Sequence, residues 1–208
     1  MGSSLEAAIE WAIQAAPRWM IPSSLSDRVK NGRPTYPKGW ERVAHLQDGR
    51  HVLIRPLHPE DESLYPSFLD QVTADDRRLR FFVPVKEFSA SRIAQFTHFD
   101  FTKAMAFAAL DETTGELLGV ARLHRLPHVN TAEFAILVRS DLKGHGLGWV
   151  LMNILIEYGQ KLGLSAIEGD VLPDNQMMLK MCAELGFRVS TNPADPALKL
   201  AWLPLRRR

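Results

Sequence analysis

The sequence predicts an α+β domain: a mixed, mostly antiparallel twisted sheet flanked by helices on both faces. Three observations carry this expectation. The β-like runs 104–110, 116–124 and 131–138 follow one another with only short turns between them, the pattern of hairpin-linked neighbours. The last run passes through a glycine-rich turn into a helical repeat and then another β-like run, and this passage is not repeated elsewhere. The chain has 208 residues, 46% apolar and 24% charged, enough for one ample domain with a packed core and a charged surface.

In order along the chain, Ser3 and Glu6 form a candidate capping box. Leu5, Ile9, Ala12, Ile13 and Ala16 then make an apolar stripe at helical spacing, which Pro17 stops. Residues 18–39 carry Pro22, Pro34 and Pro37 and read as an extended linker. The expected organisation is therefore an N-terminal helix and Pro-rich linker over 1–39, then a domain over 40–208. Runs 40–46 and 51–56 flank Asp48 and Gly49, a hairpin signal. Pro59, Glu60 and Asp61 open a helical segment, the acids suited to the positive end of a helix, and Pro66 keeps it short or kinked. Residues 75–81 and 89–96 read as further short helices, the first with Arg77, Arg78 and Arg80 on a solvated basic face.

The turn from Asp111 to Gly115 joins the first two central runs, and residues 126–130 join the next pair. Val150, Leu151, Ile154, Leu155 and Tyr158 recur at spacings of three and four, predicting a helix over 149–162 closed by Gly163. A strand over 166–171, a helix over 174–185 capped by Gly186, and strands around Phe187 and over 198–202 complete the domain.

Composition narrows the function. A formal net charge of +1 speaks against a nucleic-acid partner. The one cysteine, Cys182, rules out an internal disulfide and suits a reducing, cytoplasmic setting. No apolar run reaches membrane-spanning length and the start lacks a basic leader, so no membrane partner is expected. No metal is expected: His124 and His128 have a suggestive spacing, but Pro127 opposes a helix there and no close Cys or acid completes a set.

The chemistry centres on Glu133 to Leu151. Gly144, Gly146 and Gly148 alternate between a strand and a helix, so unpaired N–H groups and the positive helix end point into the turn, which makes a phosphate or pyrophosphate site. No Lys-Ser or Lys-Thr follows these glycines, so it is not a P-loop. Trp149 stands where the third glycine of a dinucleotide fingerprint belongs, although Glu168 or Asp170 could serve as its ribose acid.

Lys143-x-x-Gly146-x-Gly148 resembles motif A of the GNAT family of N-acetyltransferases, Q/R-x-x-G-x-G/A, with Lys in the Gln/Arg place. Asn175, and the helix from it to Gly186-Phe187, resembles motif B. The stretch from about Tyr36 to Val189 is similar to the Pat-type protein lysine acetyltransferases, notably at Val52 to Asp61, Leu79 to Phe82, Thr97 to Asp100, Gly119 to Leu123 and Ala132 to Ala135. The large synthetase-like module often fused to that domain is not expected within these 208 residues.

The resemblance implies acetyl-CoA as cosubstrate and a primary amine as acceptor, foremost the side chain of a protein lysine, for example on an acyl-CoA synthetase. It implies Glu133 as catalytic base. It implies Leu137 and Val138 as the pantetheine edge and the N–H groups of Lys143, Gly144, His145, Gly146, Leu147 and Gly148 as the pyrophosphate cradle. Asn175 would be a further contact to the pantetheine, while also capping its helix. The family's tyrosine acid, seven residues after that Asn, is replaced by Cys182, which reads first as a small buried hydrophobe. A small amine or antibiotic as acceptor, or a non-catalytic CoA sensor, are the alternatives within the same fold. The chain is expected to act as a monomer or homodimer.

Overall fold

The computed structural model describes residues 37–206. The expected N-terminal helix lies outside them. Eight strands form one sheet: β1 (Arg42–His45), β2 (His51–Pro56), β3 (Ala104–Asp111), β4 (Leu117–Arg125), β5 (Thr131–Val138), β6 (Ala166–Val171), β7 (Arg188–Thr191) and β8 (Lys199–Pro204). Their order is β1-β2-β3-β4-β5-β6-β8-β7, and every pair is antiparallel except β5 with β6. Five α-helices are described: α1 (Tyr65–Asp70), α2 (Ala74–Phe81), α3 (Ala90–Thr97), α4 (Leu147–Lys161) and α5 (Gln176–Glu184). The expected α+β class and mixed, mostly antiparallel sheet are what the chain forms.

Pleating sorts the side chains into two layers. On the central strand β3, Met105, Phe107 and Ala109 join one apolar cluster, while Ala106, Ala108 and Leu110 join the other. The first cluster takes in Leu147, Leu151, Ile154 and Leu155 of α4 with Met181 and Cys182 of α5. The second takes in Tyr65, Phe68 and Leu69 of α1, Phe81 of α2, and Ile93 and Phe96 of α3. β3 is buried almost throughout because helices cover both of its faces.

Local sequence explains the element ends. Pro59 opens a short 3-10 turn, Pro59–Leu64, and Pro66 falls in the first turn of α1, where its missing N–H costs no hydrogen bond. Thr73 and Ser89 cap α2 and α3 by accepting from Asp76 N and Arg92 N. Gly163, at φ +67°, ends α4 as expected. Trp40 packs edge-on against Phe107 and Tyr158, at 5.9 and 5.0 Å, tying the start of the described chain to the first core.

Candidate active site

The sheet is continuous except at its one parallel junction. β5 and β6 pair at Thr131 with Ala166, Ala132 with Ile167 and Glu133 with Glu168, and then part. Beyond Glu133, β5 stays paired with β4 as far as Val138, and β6 stays paired with β8 as far as Val171. Phe134, the next residue in register, lays its ring over Gly169, where an added Cβ would lie 2.6 Å from Phe134 Cε1. Phe187 packs edge-on behind that ring at 5.4 Å. Glycine at 169 therefore lets an aromatic side chain sit at the branch point of the two strands.

A cleft of about 360 Å³ opens from this branch point, with walls from β5, the glycine turn, α2 and the start of α5. The register with β4 decides what β5 shows it. Leu126 N bonds Thr131 O and Arg139 N bonds Leu118 O, so odd-numbered residues of β5 turn their amides to β4. Phe134, Ile136 and Val138 turn theirs to the open edge. Of the expected pantetheine pair, Val138 thus offers its backbone and Leu137 its side chain. Glu133, Ala135 and Leu137 project side chains toward α1–α3.

Glu133 is 8% exposed and lines the cleft where the strands part. Its neighbours across the sheet are His124 and Glu168. Arg80 of α2 faces it electrostatically. The expectation of a solvated basic face on α2 is therefore corrected. Arg80 turns its guanidinium inward, where burial pushes its pKa down to about 9, opposed chiefly by the Glu133 carboxylate. Arg78 bonds Asp75 of its own helix and Asp174 at 2.6 Å, linking α2 to the loop before α5. α2 ends at Phe82, a non-glycine residue at φ +63° that also lines the cleft.

The phosphate loop has the conformation its glycines allow. Gly144 and Gly146 sit at φ +82° and +93°, a region that other residues enter at a cost. Gly146 caps α4, and the first helical bond is Val150 N to Gly146 O at 3.1 Å. The N–H groups from Gly146 to Trp149 precede that bond and point with the positive end of a 15-residue helix toward the cleft.

Seven of the nine expected coenzyme residues line the cleft: Leu137, Val138, Lys143, Gly144, Gly146, Gly148 and Asn175. His145 does not; its N–H bonds Leu142 O, and its ring turns to Asp48 in a side groove by Trp149. Leu147 has a fully buried side chain in the core, so only its amide is left for a ligand. Lys143 lines the cleft with its ammonium bonded to Asp76, which also accepts from Ser140. Burial of Asp76 works to raise its pKa, but the bonds from Lys143, Ser140 and Thr73 outweigh it and hold the carboxyl below its ordinary value. Asn175 caps α5, accepting from Met178 N at 3.2 Å, and lines the cleft as well.

Cys182 is fully buried beneath α5, outside the cleft, and burial raises its thiol to about 12. It is a core residue. Among the described residues no tyrosine lines the cleft. Among the described residues no cluster of three His, Cys, Asp or Glu is placed to hold a metal ion, and no helix is long and apolar enough to cross a membrane. Sequence reasoning did not single out Asp76, Arg122 or Tyr65. Arg122 alone left a local signal, as a charge inside the apolar run 117–123.

A sheet split beside a buried carboxylate and a helix start with free amides suits a phosphate-bearing ligand held next to a proton acceptor. Residues 51–188 match the Acetyltransferase (GNAT) domain family. The chain belongs to that family. It is 34% identical over 155 residues to acetyltransferase PA5475 of Pseudomonas aeruginosa, a match covering 74% of this chain and 83% of that protein. The GNAT domain of PAT from S. lividans superposes with a TM-score of 0.75 at 27% identity, covering 82% of this chain and all of that one. Ribosomal-protein-S5-alanine acetyltransferase from Vibrio fischeri shares the fold, with a TM-score of 0.60 at 13% identity over 78% of this chain and 97% of its own. The protein is an acetyltransferase, and GNAT domains use acetyl-CoA.

Proposed function

We propose that this acetyltransferase acts on the side-chain amine of a protein lysine, with an acyl-CoA synthetase as the first candidate substrate. The observation that carries the site assignment is the parting of β5 from β6 directly after the buried Glu133, within one strand's length of the glycine turn. The likeness to the PAT domain supports the choice of lysine. In this reading the pyrophosphate lies against the amides from Gly146 to Trp149. The pantetheine arm follows the open edge at Val138, Ile136 and Phe134, and the thioester comes to rest beside Glu133. A lysine of ordinary pKa near 10.4 is neutral at pH 7 at a cost of about 4–5 kcal/mol. Glu133 takes the proton, directly or through one water, as the amine nitrogen bonds the thioester carbon. The C–S bond then breaks and the sulfur leaves as thiolate; among the described residues neither Cys182 nor a tyrosine lines the cleft. Asn175, in this reading, contacts the pantetheine while it caps α5. Residues 1–39 are proposed to be an appendage to this domain, and the cytoplasm is its proposed location.

The test is acetyl transfer to a purified acyl-CoA synthetase, read by mass spectrometry at single lysines. Stoichiometric modification of one lysine, lost in Glu133→Gln, supports the reading. Transfer only to free amines or aminoglycosides would move the acceptor to small molecules. No transfer to any amine, with acetyl-CoA still bound, would make the domain a coenzyme sensor.

A further inference from the structure

Behind the cleft, the face carrying α1–α3 encloses a second, smaller cavity of about 30 Å³. Its walls include Tyr65, Arg80, Phe96, Arg122, Ala135 and Leu137. Arg80, Ala135 and Leu137 also line the main cleft, so the two spaces share a wall at the middle of β5. The smaller one has room for about two waters, at roughly 10–15 Å³ each, or one carboxylate-sized group.

The polar groups around it are not balanced among themselves. Arg122 is 7% exposed. Its guanidinium donates to Phe96 O and lies 4.6 Å over the Phe99 ring. Burial lowers its pKa, and the group acting against that is Tyr65, a neutral phenol, with no carboxylate among the causes. Tyr65 is 3% exposed; Arg122 acts on its hydroxyl both by charge and as a hydrogen-bond donor, though not at ordinary bonding geometry. Asp61, the acid that acts on Tyr65, is held in a two-pronged pair by Arg55, both bonds 2.7 Å. Arg80 brings a second guanidinium, which Glu133 faces. Among the described residues two guanidiniums and a phenol therefore border this void; Glu133 acts on Arg80, and Arg122 has only the Tyr65 hydroxyl and the Phe96 carbonyl beside it. Buried charges are ordinarily paired and buried hydroxyls bonded. Water would satisfy the hydroxyl but would leave Arg122 without a counter-charge.

We infer that this cavity receives the far end of the acyl group, and that besides acetyl the enzyme takes acyl groups ending in a carboxylate, of the malonyl or succinyl class. The inference rests on the placement of the pantetheine along β5 proposed above. From there the acyl chain enters between Ala135 and Leu137, and its carboxylate meets Arg122 and the Tyr65 hydroxyl.

The test is calorimetric binding of matched pairs: succinyl-CoA against butyryl-CoA, and malonyl-CoA against propionyl-CoA. Each pair has the same number of acyl carbons and differs by the terminal carboxylate. The expected result is tighter binding of the carboxylated member by about tenfold in at least one pair, the size of one charge-assisted hydrogen bond. Arg122→Met should bring that ratio to about one. Tyr65→Phe, which keeps the ring, should lower it by a smaller factor and serves where Arg122→Met does not fold. Equal binding within both pairs, with acetyl-CoA still bound, would overturn the inference and leave the enzyme reading standing. Failure of every thioester to bind would overturn both.

Discussion

The two faces of the sheet divide the work. Under α4 and α5 the core is assembled from side chains such as Met105, Phe107, Leu151, Met152 and Leu155, and among the described residues no buried charge belongs to it. Under α1–α3 the apolar cluster is interrupted: Asp61, Asp76, Arg122 and Glu133 are all buried on that side. The first face is a rigid platform that fixes the start of α4 and hence the phosphate loop. The second holds charges out of water, where each is worth more and costs more. Reactivity is expected where charge is buried, and stability where it is not.

The largest test of this division is Glu133→Gln. It keeps the shape of the branch point and removes the base, so turnover should fall by about 10²- to 10⁴-fold with acetyl-CoA affinity retained. Steady-state kinetics alongside calorimetry reads both, and unchanged turnover would move the base elsewhere. On the opposite face, Leu151→Ala empties a fully buried site in α4 and should cost about 2–5 kcal/mol in a denaturant melt. Turnover per folded molecule should stay within a few-fold. A comparable loss of turnover would mean that the faces are not separable.

Asp76 tests the charged face by pH. Its carboxyl is held below the ordinary 3.8 in the folded protein. A depressed folded value means that the unfolded chain binds the proton first on acidification. The stabilisation is therefore complete above about pH 4 and disappears as pH falls through the lower folded value. Asp76→Asn should be less stable than the parent at neutral pH and should show a flatter acid limb in urea melts between pH 5 and about 2. Parallel limbs would show that Asp76 contributes nothing by its charge.

The smallest expected effect is the most selective. An added Cβ at Gly148 would meet only Met181 Sδ, at 3.8 Å. Within the protein alone Gly148→Ala is thus harmless, and in a helix it should add up to about 1 kcal/mol of stability. If Gly148 is small because a ligand approaches it, the same change should weaken acetyl-CoA binding. Unaltered affinity would take Gly148 out of the cradle.

What was legible in the sequence follows the same division. Gly144, Gly146, the stripe of α4 and the Asn175 cap depend on neighbours a few residues away, and the spacing exposes them. Glu133 stood out as an acid in an apolar strand, but its burial comes from α2. Lys143 was expected to face phosphate; its partner Asp76 lies 67 residues earlier, beyond the reach of any local pattern. Arg78 finds Asp174 across 96 residues. Arg80 looked like one more surface cation, because the helical repeat of α2 does not reveal that its cleft side is enclosed. Tyr65 and Arg122 meet only when α1 folds over β4. His145 fits the motif by position, yet the turn uses its N–H internally. Short-range chemistry was readable, and the pairing of buried charges was not.

The central claim is that the parting of β5 and β6, with the glycine turn beside it, is an acetyl-CoA site. The most direct measurement is the thermal midpoint with acetyl-CoA, CoA, ATP and NAD, each in large excess. A ligand present at 100 times its Kd adds about 2.7 kcal/mol, or about 5–10 °C for a chain of this size. A shift of that order with acetyl-CoA and CoA and none with NAD is the predicted result. A shift with NAD alone, or none with either thioester or free CoA, would contradict it.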